Sequence, residues 1–219
     1  MNQKAVSICH WLQANPLTGL KDCYVAYSSV TIVYDPVSIR KNENPDGTVF
    51  EWVSEKLHEA INYATIVDDE SRRVVEIPVC YDQDLGTDLE ALAAAKQLSI
   101  PEIIEIHHTR TYKVYMLGFL PGFTYMGEVD ERLIVPRKPQ PVPVAGGSVG
   151  VVSFQTGIYP LNSPGGWHII GRTPVRLFNK DAEDPVLLHA GDEVKFYPIG
   201  REEYEYKCQM KNEEFEMRK

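Results

Sequence analysis

At 219 residues and 43% hydrophobic content, the chain can bury one generous core or two small ones, and two domains are expected. A formal net charge of −9 excludes a phosphate-backbone-binding surface, which needs clustered Lys and Arg, so nucleic acid is not an expected partner. No run of about 18 apolar residues occurs, and the N-terminus lacks an apolar stretch with a small-residue cleavage site, so the expectation is a cytoplasmic protein without a membrane span.

Along the chain, Ala5, Ile8, Cys9 and Leu12 fall at the spacing of one helical face, and Pro16 and Gly19 end that segment. Residues 24–27 and 30–34 are β-branched and aromatic runs around Ser28-Ser29 and predict a hairpin, with Asp35-Pro36 as its stop. Thr48 and Glu51 form a capping box before Val53, Leu57 and Ile61, predicting a second helix that ends near Ala64. A polar run from Asp68 to Arg73 marks the domain boundary, and the chain restarts as an apolar strand over 74–81.

Thr87 with Glu90 and Ser99 with Glu102 are two further capping-box candidates, opening short helices over 89–98 and 101–107. From Tyr112 onward, β-rich segments at 113–119, 149–154, 167–170 and 194–197 alternate with Gly- and Pro-rich turns, which predicts a β-barrel or sandwich. The four cysteines, Cys9, Cys23, Cys80 and Cys208, have no metal-site spacing and read as buried free thiols.

No P-loop sequence is present. Gly146-Gly147-Ser148-Val149-Gly150 fits the nucleophile-elbow pattern, but a strand pattern follows it where an elbow needs a helix; the reading is a turn whose glycines permit close backbone approach. None of the six histidines makes a metal motif, and the adjacent His107 and His108 read as a solvated surface pair.

The informative stretch runs from Leu117 to Phe178, where glycine and proline are too dense for ordinary strands. One account is barrel corners with Phe119, Phe123 and Trp167 filling the interior. The other is a polar-lined cleft built from Arg137, Gln155, Tyr159, His168 and Arg172, all hydrogen-bonding groups set among turn residues. Either arginine can hold a carboxylate or phosphate bidentately, and Gln155 can both donate to and accept from an amide.

Three motifs in this stretch occur in order: G-F-L-P-G-F-T-Y from Gly118, Q-T-G-I-Y-P from Gln155, and S-P-G-G-W-H-I-I-G-R-T-P from Ser163. On them, and on residues 75–81 and 26–36 upstream, the chain resembles a bacterial family described as the B-type subunit of 5-oxoprolinase, subunit 1 of allophanate hydrolase and a sporulation histidine-kinase inhibitor. The resemblance implies an α+β N-terminal domain (residues 1–70) followed by a cyclophilin-like β-barrel domain (residues 71–219). It implies ATP-dependent cleavage of 5-oxoproline to glutamate, in complex with the A-type and C-type subunits of 5-oxoprolinase, with the chain inactive alone and ATP held at an interface of the complex or by a partner. Phosphorylating the amide oxygen would supply a leaving group for opening an unstrained lactam, which gives the ATP a chemical purpose.

On side-chain chemistry, Arg137 or Arg172 is expected to clamp the substrate carboxylate or a transferring phosphoryl group, Gln155 and Tyr159 to hold the lactam, and His168 to move a proton. Phe123, Tyr125, Ser148, Gly165, Gly166 and Trp167 complete the expected substrate contacts, with no metal site. Two departures stand out. The family begins with a strand before the first helix, so an edge strand is missing here or the start is truncated, and the stretch 139–149 lacks the family's second arginine. Two rival readings share the resemblance: a binding module that inhibits a sensor histidine kinase, and an allophanate- or urea-directed amidohydrolase component.

Overall fold

A computed structural model of the chain describes residues 2–64 and 73–216. The chain divides into two compact units, within residues 1–72 and 73–219. The polar run expected to mark the boundary lies, but for Arg73, outside the described residues.

In the first unit, helix α1 (Asn2–Ala14) precedes a hairpin of β1 (Leu20–Val25) and β2 (Val30–Tyr34), followed by α2 (Pro36–Asn42) and α3 (Val49–Tyr63). The apolar stripe of α1 buries Ala5, Cys9 and Leu12. It meets β1 at Cys23, whose Sγ donates to Cys9 Sγ at 2.8 Å. Thr48 and Glu51 form the expected capping box at the start of α3. Asp35-Pro36 ends β2 as expected and also opens a short helix: the Asp35 carboxylate accepts from the Val37 and Ser38 amides and Pro36 occupies the first turn.

The second unit is built on a sheet of seven strands: β3 (Val74–Val79), β4 (Thr111–Leu117), β5 (Thr124–Gly127), β7 (Ser148–Val152), β8 (Gln155–Ile158), β10 (His168–Arg172) and β11 (Glu193–Pro198). Their order is β10-β7-β8-β5-β4-β11-β3, antiparallel except for the β11–β3 pair. The sheet curls until its edges meet at one point, where Cys80 and Arg172 exchange backbone hydrogen bonds of 2.8 and 2.9 Å. A separate ribbon pairs β6 (Val142–Val144) with β9 (Ser163–Gly165). Helices α4 (Leu89–Lys96) and α5 (Ile100–His108) pack Leu89, Leu92, Ile103 and Ile106 into a core to which all seven strands contribute; we call this the inner face. Helix α6 (Arg201–Glu216), in a charged stretch with no apolar stripe to announce it, follows β11. Among the described residues no helix is long and apolar enough to cross a membrane.

Three expectations need correction. Ser99 and Glu102 do form a capping box, but Thr87 and Glu90 do not: residue 88 holds the cap position of α4, and its side chain makes no cap hydrogen bond. The Asp88 carboxylate is engaged elsewhere, accepting from the Ile169 amide and from Lys138 Nζ, both at 2.7 Å. Nor are His107 and His108 a surface pair, since His107 is fully buried. Its Nε2–H donates to Thr156 Oγ1 (3.0 Å), and the Thr156 hydroxyl donates onward to the Gly150 carbonyl (3.1 Å). That leaves Nδ1 as the acceptor for Tyr81 O–H (2.8 Å). Burial, with a smaller contribution from His108, holds the ring neutral with its pKa lowered to about 3. Finally, Phe123 and Trp167 are buried, but not in the inner core; they lie on the opposite, outer face, while Phe119 is exposed.

Candidate functional site

Strands β5, β7, β8 and β10 carry on their outer face a second, smaller core of Phe123, Val144, Val152, Tyr159, Trp167 and Ile169, with Tyr125 packed against it. The alternation of a strand explains the split: Val149 and Val151 point inward, while the residues between and beyond them point out. Four rings meet edge to face around Phe123, which lies 4.8 Å from Tyr125, 5.0 Å from Tyr159 and 5.4 Å from Trp167 between centroids.

The glycine pair of the third motif is required by close approach. A Cβ on Gly165 would stand 2.7 Å from Tyr159 Cζ, and one on Gly166 would stand 2.7 Å from Arg137 Nε. Glycine therefore lets the ribbon lie on the Tyr159 ring and lets the Arg137 side chain lie across the backbone. The Lys138 amide donates to the Gly166 carbonyl at 2.9 Å, and His168 Nε2–H donates to the Pro136 carbonyl at 3.0 Å, so both neighbours of Arg137 are fixed. Arg137 itself is exposed and makes no ion pair among the described residues. Its charge is close enough to Tyr125 and Tyr159 to oppose the rise that burial gives both phenols; for Tyr159 the Trp167 backbone N–H opposes it more strongly.

The structure thus brings together Phe123, Tyr125, Arg137, Tyr159, Gly165, Gly166, Trp167 and His168, the last held by its bond to Pro136. Ser148 is buried at the start of β7, its carbonyl accepting from the Tyr159 amide at 2.9 Å. Gln155 opens β8 at the hairpin end, four residues and about 13 Å of strand from Tyr159. Arg172 lies beyond a bulge between Ile169 and Gly171: the register sets it opposite Ser148, on the outer face, whereas His168 is opposite Val151, whose side chain points inward. The Arg172 side chain runs past Gly147 to hydrogen-bond the Tyr204 hydroxyl. Among the described residues no group of three His, Cys, Asp or Glu side chains is placed to hold a metal ion.

One residue that sequence reasoning placed in the interior belongs with this site. Phe119 is 65% exposed and has φ +67, a left-handed conformation that a bulky side chain adopts only under constraint. The constraint is a tight turn in which the Gly118 amide donates to Phe123 O (3.1 Å) and the Phe123 amide to Leu120 O (3.0 Å). The Phe119 ring stands edge-on to Phe123 at 5.9 Å. An aromatic between Gly118 and Pro121-Gly122 was the available sign of a turn-borne, outward ring.

Residues 1–188 match the family model described as the carboxyltransferase domain, subdomain C and D. The chain belongs to this family. Within it, the B-type subunit of 5-oxoprolinase from Bacillus subtilis (strain 168) is 42% identical over 213 residues, spanning 93% of this chain and 88% of the relative. The crystal structure of TTHA0988 superposes with a TM-score of 0.76 at 36% identity, over 90% of this chain and 37% of that one, so this chain spans little more than a third of that longer protein. The K. lactis urea amidolyase shares the fold, with a TM-score of 0.68 at 18% identity over 94% of this chain and 14% of that one. In sequence, the urea amidolyase of Lachancea kluyveri is 39% identical over 62 residues, 26% of this chain and 3% of the relative, which is the point of contact with the allophanate hydrolase branch of the family.

Proposed function

We propose that this chain is the B-type component of an ATP-dependent 5-oxoprolinase, which opens 5-oxoproline to glutamate together with the A-type and C-type subunits. The observation that carries the reading is the Arg137 guanidinium, laid across Gly166 beside Tyr125 and Tyr159 and without an ion-pair partner among the described residues. A planar cation over an aromatic floor suits a small ring bearing a carboxylate: the guanidinium takes the carboxylate bidentately and the Tyr125 side of the floor takes the ring methylenes.

The Tyr159 phenol faces the Trp167 backbone N–H inside the floor, so its part is to hold the ribbon in place. His168 donates from Nε2 to Pro136, which leaves Nδ1 as its basic position for receiving a proton. ATP serves as the second substrate. The curled sheet of the second unit is read as cyclophilin-like, and the free thiols suit a cytoplasmic setting. The similar curated proteins are named for 5-oxoprolinase and urea amidolyase, so the kinase-inhibitor reading is not favoured. The urea amidolyase likeness is one of fold over most of the chain and of sequence over only 62 residues, 26% of it.

The test is ADP release dependent on 5-oxoproline, by the chain alone and mixed with its A-type and C-type partners. Activity is expected only in the mixture, with Arg137→Gln raising KM for 5-oxoproline at least about tenfold. A mixture without activity, or a variant with unchanged KM, overturns the reading.

A further inference from the structure

Asp88 stands at the N-cap of α4 and does not cap it: its carboxylate makes no bond to the first-turn amides, the usual use of an aspartate there. It reaches across to β10, the last strand at one edge of the sheet. The Asp88 amide donates to the Ile169 carbonyl at 2.9 Å, and the Ile169 amide donates to Asp88 Oδ2 at 2.7 Å, so this one residue satisfies both backbone groups of Ile169. The same Oδ2 accepts from Lys138 Nζ at 2.7 Å, in an ion pair whose two side chains are only 17% and 18% exposed.

Lys138 follows Arg137 in the sequence and is held at both ends, its amide by the Gly166 carbonyl and its ammonium by Asp88. On the other side of Arg137, the Pro136 carbonyl accepts from His168 Nε2 at 3.0 Å. Pro136 and Pro139 restrict the backbone further, since each ring fixes its own φ. Residues 136–138 therefore form a strap laid against 166–169, with the Arg137 side chain crossing Gly166 between the two anchors. Of these anchors, the Asp88–Lys138 contact is the one made by two opposite charges. It also neutralises the other cation of the strap, so that an anion approaching the aromatic floor meets the guanidinium alone.

We propose that Asp88 is a positioning residue for the Arg137 site: acting through Lys138, it fixes the strap against β10 and so holds the guanidinium over Tyr125 and Tyr159 before a ligand arrives. Order imposed in advance spares the ligand the entropy of arranging an exposed arginine, and this is how a residue that touches no ligand strengthens binding. That the ligand is 5-oxoproline rests on the proposed function; the tether itself does not.

The experiment uses Asp88→Asn together with Lys138→Met, which removes the ion pair without leaving a lone charge and keeps a carbonyl oxygen for the Ile169 amide. Hydrogen exchange of the full chain, read by NMR, reports the strap without any substrate. Exchange at the Lys138 amide is expected to speed up at least about tenfold, while exchange at the Ile169 amide, which reports the edge of the sheet, changes less than about threefold. In the assembled complex, KM for 5-oxoproline should rise about fivefold with kcat within about twofold, and the same two substitutions should add nothing further to Arg137→Gln. Unchanged exchange at Lys138, or equal acceleration at Ile169, overturns the tether. A KM that stays put, or a rise that multiplies in full with that of Arg137→Gln, overturns the positioning of Arg137. A complex inactive on 5-oxoproline removes the proposed function instead, and the exchange at Lys138 then decides the tether by itself.

Discussion

The two faces of the seven-stranded sheet treat polar side chains in opposite ways. On the inner face, Tyr81, His107 and Thr156 form a closed chain in which every donor has an acceptor and the tautomer of His107 is dictated. On the outer face, Arg137 has no ion-pair partner among the described residues, and Arg172 carries a buried N–H without an acceptor. A network that satisfies itself serves the fold; donors that the protein leaves open are where a ligand can contribute. Burial alone would have ranked His107 first and Arg137 last as functional candidates, the reverse of what their hydrogen bonding implies.

The hardest blow to the inner face is His107→Ala, which empties a packed position and strips Tyr81 and Thr156 of their partner. A loss of about 4 kcal/mol is expected in urea unfolding. A loss under about 1 kcal/mol would show the network to be dispensable.

On the outer face, the neighbouring glycines should separate stability from activity. Gly165→Ala drives a Cβ into the rigid, buried Tyr159 ring and should cost about 3 kcal/mol. Gly166→Ala meets only the Arg137 side chain, which can swing away; stability should stay within about 0.5 kcal/mol while KM for 5-oxoproline rises. Equal thermal losses in the two variants would mean that Arg137 is held as rigidly as Tyr159.

His107 also makes a pH prediction. Its pKa is depressed in the folded state, so between its unfolded value near 6.5 and its folded value of about 3 the unfolded chain binds the extra proton, and stability falls as pH falls. From pH 6.5 to 5, above the range where the carboxylates titrate, the loss should be about 2 kcal/mol, and His107→Gln should abolish that slope. The smallest effect is expected at Phe119→Gly, which relieves a left-handed backbone and should stabilise the protein by about 1 kcal/mol. If KM for 5-oxoproline rises in the same variant, the strained ring belongs to the ligand site; if not, it belongs to another surface.

Much of the fold was legible because local chemistry decided it. The Thr48 and Ser99 capping boxes and the hairpin around Ser28-Ser29 needed no tertiary partner. The Thr87 box failed because β10 and Lys138 recruited the Asp88 carboxylate, a contact made across 81 residues in the case of Ile169. His107 does carry a readable sign of burial: with Ile103 and Ile106 it falls on one buried stripe of α5. For the site, the glycine and proline density located the region. What it could not supply was the division of labour between Arg137 and Arg172, because one bulge in β10 reverses which way the later residues face.

The parallel pairing of β3 with β11 has a consequence for how the molecule is made. Val74 lies beside Glu193, and their neighbours Arg73 and Asp192 form an ion pair across 119 residues. During synthesis, β3 leaves the ribosome and must wait for nearly the whole second unit, about ten seconds at ordinary elongation rates, before β11 arrives to pair with it. Throughout that interval the strand Val-Val-Glu-Ile-Pro-Val carries open hydrogen-bonding edges, so the nascent chain is at its most vulnerable to misassociation just before its last strand emerges.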